Sequence, residues 1–187
     1  MKICYADPPY IGQAEKHYGD QPLHEEVDHA KLIRQLMDYD GWALSASSVS
    51  ILELARLQDE NGEFVMPWYV RVGVWVKPFA SFKPNVNPAY AWEPVFFVPA
   101  RKRGREYPTI RDWVSASITL ERGVHGAKPE TFCYWLFEVL GMDRDDEFID
   151  MYPGSGAVTN AYTAWQTQML LRNVIDATEN LQQHELK

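Results

Sequence analysis

Cysteine is nearly absent: Cys4 and Cys133 are the only two among 187 residues, and each lies in an apolar stretch. That excludes a disulfide framework and a cysteine-rich zinc cluster, and it predicts two reduced, buried thiols that behave as small hydrophobes. Long apolar runs are missing as well. No stretch approaches the roughly 20 residues that a membrane-spanning helix needs. The opening Met1-Lys2-Ile3-Cys4-Tyr5-Ala6-Asp7 meets Pro8-Pro9 without a signal-peptide apolar region. A cytoplasmic chain with no membrane contact is the expectation. Positive charge is in deficit, since 18 Lys and Arg stand against 26 Asp and Glu for a net charge of -8. Phosphate binding is driven by cations, so wrapping nucleic acid by bulk electrostatics is excluded and any such contact must be local. His17, His24, His29, His125 and His184 have no paired spacing, and no metal site is expected.

The remaining composition is that of a soluble globular chain, with 46% hydrophobic and 24% charged residues. Its length suits one domain, taken as residues 1–177 followed by a polar tail over 178–187. Aromatic residues reach 13% with seven tryptophans; core packing is their commoner use and base stacking a second one. One local concentration of positive charge stands out. Arg101, Lys102, Arg103, Arg105 and Arg111 lie within a short span opposed only by Glu106, which reads either as a solvated loop or as a phosphate-contacting segment.

Hydrophobic patterning alternates between two periods. Ile3 to Ala6 is a short apolar run of the kind buried on both faces of a parallel sheet, and consecutive prolines end it. Val27, Ala30, Ile33, Leu36 and Met37 recur at helical spacing from a start at Asp28, ending at Gly41. Trp42 to Ser45 predicts a second strand, and Ile51, Leu54, Ala55 and Leu57 a second helix ending near Asn61-Gly62. Val70 to Val76 and Val95 to Val98 predict two more strands. Lys128-Pro129 opens a helix carrying Phe132, Leu136, Val139 and Leu140, closed by Gly141. Phe148 to Met151 is a last strand, running through Pro153-Gly154-Ser155-Gly156 into a helix from about Ala157 through Trp165 or beyond. Strands alternating with helices predict an α/β, doubly wound, mostly parallel sheet in three layers.

In such a sheet, ligands bind beyond the carboxyl ends of the strands. Two predicted strands end in unusual residues: the first in Asp7-Pro8-Pro9-Tyr10, the last in Asp150-Met151-Tyr152-Pro153-Gly154-Ser155-Gly156. The glycines allow a tight turn and close backbone approach. The prolines hold a backbone carbonyl in a fixed direction beside a carboxylate, and Tyr10 offers a ring face.

These residues resemble a known family, the S-adenosylmethionine-dependent amino-methyltransferases of nucleic acids. Asp7-Pro8-Pro9-Tyr10 is similar to the family's catalytic Asp-Pro-Pro-Tyr, Lys128-Pro129 to its Lys-Pro cofactor motif, and Asp150 to Gly156 to its Asp-Pro-Phe-x-Gly-Ser-Gly loop. Trp75-Val76-Lys77 and Tyr90-Ala91-Trp92-Glu93-Pro94-Val95 resemble weaker blocks between them. Catalytic motif first and cofactor motif last is the permuted order of the beta class, common in restriction-modification systems and phages.

The resemblance implies a class I methyltransferase fold, circularly permuted, that transfers a methyl group from S-adenosylmethionine to the N6 amine of adenine in DNA. Asp7, Pro8, Pro9 and Tyr10 would be catalytic; Ala6, Asp7, Lys128, Pro129, Asp150, Tyr152, Gly154, Ser155 and Gly156 would border the cofactor. Lys77, Arg101, Lys102, Arg103 and Arg105 are the candidate nucleic-acid contacts. Methylation of cytosine N4 is the nearest alternative. A silent domain binding DNA or a partner, and a methyltransferase of small molecules or proteins, are the others.

The chain departs from the family at Met151 and Ala157, where Pro and Thr are usual, and in lacking a clear acidic strand end for ribose after the glycine loop. A truncated sheet edge is therefore expected there. The recognition insert, about 100–126, is too short for a separate domain. Low sequence specificity, or a homodimer or other partner that supplies it, is the corresponding expectation, with residues 12–26 as a lid over the flipped base.

Overall fold

β1 (Lys2–Ala6) is buried from Ile3 onward, and burial on both faces is why it is apolar without alternation. Ile3 and Tyr5 face one helical layer, Cys4 and Ala6 the other. The structure, a computed structural model, describes residues 1–12, 27–79, 85–118 and 127–185, with side chains described through 171. The expected lid over 12–26 and the end of the recognition insert fall largely outside the described residues.

The six strands are β1, β2 (Gly41–Ser45), β3 (Arg71–Val76), β4 (Trp92–Val98), β5 (Trp113–Ser115) and β6 (Glu147–Asp150), in the spatial order β5-β3-β4-β2-β1-β6. All run the same way except β4, which is antiparallel to both neighbours. The expected α/β, mostly parallel sheet is therefore present. Helix α1 (His29–Leu36) begins where expected, its first turn capped by the Asp28 carboxylate accepting from the Lys31 N–H at 2.9 Å. Its Leu32, Ile33 and Leu36 cover Cys4, Ala6, Trp42 and Leu44 on one face. Helices α3 (Glu130–Val139) and α4 (Ala157–Glu185) cover the other. There Phe132 packs on Tyr5 and Trp75, and Phe137 meets Tyr162 and Trp165 of α4 with ring centroids 6.0 and 5.6 Å apart. The chain thus leaves β1 toward one face and β6 toward the other, so a crevice opens at the carboxyl ends of these adjacent strands.

Several boundaries differ from the expectation. Helix α2 (Ile51–Ala55) follows a 3-10 turn at Ser48–Ser50 and stops short of Gly62. The Asp59 carboxylate accepts the backbone N–H groups of Asn61 and Glu63 at 2.9 and 3.0 Å, which holds a turn where the helix would have continued. Strand β4 starts at Trp92, three residues before Val95, and includes Pro94. Proline is tolerated because the β2 ladder ends at Ser45 and Val95, and the Pro94 carbonyl still accepts the Ala46 N–H at 3.1 Å. β5 lies inside the stretch expected to be only an insert. The polar tail expected from Thr178 is helical backbone through Glu185. β6 is the sheet edge, and no described strand follows it, as the truncated edge required. Among the described residues no helix is long and apolar enough to cross a membrane. Both cysteines are free and buried, and burial pushes their thiols up to about 12.

At the amino ends of the strands, Arg101 ties the chain after β4 to the turn between α3 and β6. Its guanidinium donates to both Asp146 oxygens at 2.6 and 2.7 Å and to the Gly141 carbonyl at 2.6 Å, and the Asp146 side chain is only 3% exposed. Burial opposes ionisation of Asp146, yet Arg101 and the neighbouring N–H donors outweigh it and hold the carboxyl far below the usual range. Because the folded value is depressed, this stability is present above the unfolded value of about 4 and is lost as pH falls below it. Arg101→Ala should cost about 3 kcal/mol at neutral pH, since it leaves a buried carboxylate without its main partner. Urea unfolding across acidic pH checks this: the gap between wild type and variant should close as Asp146 protonates.

Candidate active site

Asp7 follows directly from β1, on the side of the sheet to which Ile3 and Tyr5 point. This is the α3 side. Pro8 and Pro9 behind it are buried, so the turn is fixed from within as well as by proline geometry. Lys128, immediately before α3, brings its ammonium to 3.0 Å from Asp7 Oδ2 and 3.2 Å from Glu93 Oε2. Its side chain is 6% exposed. Trp75 and Phe132 form the wall beneath, with Lys128 Nζ 5.4 and 5.8 Å from their ring centroids. Trp75 is itself oriented by its indole N–H donating to the Ala116 carbonyl at 2.8 Å.

Glu93 enters from the start of β4 and has three partners. Lys128 and the Tyr10 hydroxyl, at 3.0 Å, donate to Oε2, and Lys77 pairs with Oε1. Lys77 also lies over the Trp75 ring, 4.7 Å from its centroid. Two carboxylates and two ammoniums thus meet in one partly enclosed cluster whose formal charges cancel. Burial pushes the Asp7 carboxyl above its ordinary range, Lys128 pulls it back, Glu93 adds to the rise and Lys77 opposes it. For Glu93, burial is outweighed by Lys128 and Lys77, which hold it below the usual range. Burial opposes the charge on Lys128, but Asp7, Tyr5 and Glu93 more than offset it and keep the ammonium protonated. Below the cluster, the Tyr5 and Ser45 hydroxyls are hydrogen-bonded at 2.7 Å.

The second motif stands beside the first. Tyr5 and Asp150 are register partners in adjacent parallel strands, and the Met151 N–H donates to the Tyr5 carbonyl at 2.9 Å. Asp150 accepts from the Tyr152 N–H and the Thr159 hydroxyl, each at 3.3 Å. Burial raises its pKa, and the Asp7 charge adds to this. Gly154 and Gly156 adopt φ of 45° and 76°, the left-handed region where glycine carries no side-chain penalty. The Gly156 carbonyl then accepts the Asn160 N–H at 2.9 Å, starting α4. A pocket of about 270 Å³ adjoins this turn, lined by Lys128, Glu130, Ala157, Asn160, Ala161 and Ala164. Small side chains on α4 make the space, while a carboxylate, an amide and an ammonium stand around it. A larger groove of about 430 Å³ along β5 and α3 is lined by none of the four clustered charges.

Asp7, Pro8, Pro9, Tyr10, Lys128, Pro129 and the Asp150 to Gly156 loop are brought to one end of the sheet. The five candidate nucleic-acid contacts are not brought together. Lys77 is in the cluster and held by Glu93. Arg101 grips Asp146, and Arg103 donates to the Met142 carbonyl at 2.5 Å and lies over Tyr107, at the opposite end of the sheet. Those two arginines brace the fold there and do not face Asp7. Lys102 and Arg105 are exposed in the same loop. Sequence reasoning gave no role to Glu93. Its one signal was a carboxylate inside an otherwise apolar strand, Trp92-Glu93-Pro94-Val95-Phe96-Phe97-Val98, where a buried charge implies a partner.

Lys128→Met should lower stability by about 2 kcal/mol at neutral pH, because it strips the partly buried Asp7 carboxylate of its ion pair. The remaining acid would titrate still higher in the folded state. The deficit should therefore shrink as pH falls through that raised value and Asp7 becomes neutral. Urea unfolding at neutral and mildly acidic pH reads both effects; a pH-independent deficit would mean that Lys128 serves packing alone.

No family model matches the chain, and no curated protein sequence does either. Solved structures do. The crystal structure of the M1.HpyAVI–SAM complex shares the fold with a TM-score of 0.52, at 15% identity, over 87% of this chain and 78% of that one. The six-stranded, mostly parallel α/β sheet flanked by helices is thus a class I methyltransferase fold.

Proposed function

We propose that the chain is an S-adenosylmethionine-dependent DNA methyltransferase acting on the N6 amine of adenine, a single domain over 1–177 with the permuted motif order. One observation carries this reading: Asp7-Pro8-Pro9-Tyr10 and the Asp150 to Gly156 turn lie side by side at the carboxyl ends of adjacent strands, where this fold leaves its crevice. The fold shared with a SAM complex supports the cofactor.

When bound, S-adenosylmethionine supplies an electrophilic methyl group on a sulfonium centre. Ala6, Lys128, Pro129, Asp150, Tyr152, Gly154, Ser155 and Gly156 would border it, with Glu130 and Asn160 added by the pocket they line. The substrate amine is a weak nucleophile because its lone pair is conjugated with the base ring. Asp7 and the Pro8 carbonyl would accept its N–H groups and turn the lone pair out of conjugation. These acceptors are fixed beforehand by the prolines and by Lys128, so little reorganisation is left for the reaction itself. Tyr10 would stack on the extruded base, its hydroxyl anchored on Glu93. The amine nitrogen would bond the methyl carbon as the carbon–sulfur bond breaks, its electron pair staying on sulfur to leave a neutral thioether, and one N–H proton would pass to solvent. Of the candidate basic contacts, Lys102 and Arg105 are exposed and would be left to meet phosphate. A homodimer or another partner would supply the sequence specificity that the short insert lacks.

The free edge of β6 favours a second reading, a domain that binds DNA or a partner without turnover, because the strand that would face the ribose is not among the described elements. Methyl transfer from labelled S-adenosylmethionine to unmethylated DNA, followed by nucleoside analysis, separates the two. N6-methyladenine is the expected product, and Asp7→Ala should reduce its formation at least 100-fold while the fold persists. N4-methylcytosine would keep the mechanism and change the base. Absence of both methylated nucleosides, together with absence of calorimetric cofactor binding, would favour the silent domain.

A further inference from the structure

We propose that Glu93 is a positioning residue of this site: by sharing Lys128 with Asp7 and anchoring the Tyr10 hydroxyl, it keeps the Asp7 carboxylate available as an acceptor. The inference deepens the methyl-transfer reading and rests on it for its kinetic consequence. The geometry supplies the argument. Lys128 Nζ lies almost midway between the two carboxylates, 3.0 Å from Asp7 and 3.2 Å from Glu93, with an aromatic wall beneath it. An ammonium left with Asp7 alone would neutralise that carboxylate and compete for it with an incoming amine. Glu93 divides the attraction. Its other oxygen is tied to Lys77, and Lys77 in turn sits over Trp75, so the dividing carboxylate is itself fixed. The Tyr10 hydroxyl donates to the same Glu93 oxygen that Lys128 contacts. One side chain therefore fixes both the carboxylate meant for the amine and the ring meant for the base.

The groups that bear on Asp7 come from several elements around it: Tyr5 on β1, Lys77 after β3, Glu93 on β4, Lys128 before α3 and Asp150 at the end of β6. Glu93 and Lys77 act on Asp7 in opposite directions, the first raising and the second lowering its pKa. This gives a test that loss of packing would not imitate. Glu93→Gln should move the Asp7 titration to lower pH, since a negative neighbour is removed. Lys77→Gln should move it to higher pH, since a positive one is removed.

The experiment has two arms. Carbon-13 NMR follows the Asp7 carboxyl in the folded protein without DNA, in wild type, Glu93→Gln, Glu93→Asp and Lys77→Gln. Methyl transfer to DNA is then measured against pH in the same four proteins. Glu93→Gln should lower the plateau rate about 10- to 100-fold, the scale of a misplaced reacting group. Its acid limb should move down and that of Lys77→Gln up, with Glu93→Asp restoring part of the rate. Asp7 titrations that stay in place, or move the same way in both glutamine variants, would overturn the positioning role, as would an unchanged rate in Glu93→Gln. If Glu93→Gln does not fold, Glu93→Asp and Lys77→Gln still decide, because Lys77→Gln must move the Asp7 titration up and Glu93→Asp must lower the rate. A wild type that transfers no methyl while the two titrations move apart would instead overturn the methyl-transfer reading and leave the electrostatic chain standing.

Discussion

An ammonium taken out of water costs several kcal/mol unless carboxylates meet it, and Lys128 is placed under that constraint at the mouth of the sheet. It needs two acceptors, and it finds them on different strands: Asp7 after β1 and Glu93 in β4. β2 lies between those strands, so the cluster ties together elements that the ladder does not join directly. The requirement also runs the other way. Asp7 and Glu93 could not both stay ionised so close together without Lys128 and Lys77 between and beside them. The charge state of the carboxylate and the position of the first turn of α3 are therefore one problem with one solution. Trp75 and Phe132 complete it by excluding water from beneath the ammonium while presenting ring faces to it.

What the sequence disclosed follows from which of these relations are local. β1 and the turn after it were legible because an apolar run stopped by two prolines has few other readings. Asp150 to Gly156 was legible because glycines between a strand and a helix specify a turn. Glu93 was not, because its partners are set by sheet order: Lys128 is 35 positions away and Tyr10 is 83, and no periodicity spans such separations. The inward contacts of Arg101 and Arg103 were not legible for the same reason. A run of positive charge says nothing about which member will reach a buried carboxylate 45 positions on, and two of its members turned inward to Asp146 and the Met142 carbonyl. β5 is three residues long, too short for alternation to register, and α2 ends where Asp59 offers the backbone a competing set of hydrogen bonds.

The truncated edge has a physical consequence for the crevice. With β6 outermost, the turn at Gly154 and Gly156 is supported from one side by β1 and from behind by α4. α4 runs for 29 residues, about 43 Å at the ordinary helical rise, and its aromatic anchors Tyr162 and Trp165 fall in its first half. The support of the loop therefore comes from the packing of that first half on Phe137 and Phe148, and among the described residues no strand beyond β6 contributes.

Charge gives the last constraint. The chain carries a net charge of -8, yet the four ionised groups at Asp7, Glu93, Lys77 and Lys128 cancel. A polyanion gains little at long range from such a protein, because steering needs a field of the opposite sign. A neutral, planar base, the substrate proposed above, would be a different case: it could enter a site whose charges are already balanced without leaving any of them unpaired. On the proposed reading, attraction to phosphate and chemistry on the base would therefore be separable demands. The crevice would then serve the second, and phosphate would be met by cations outside the cluster, since each ammonium within it is paired with a carboxylate.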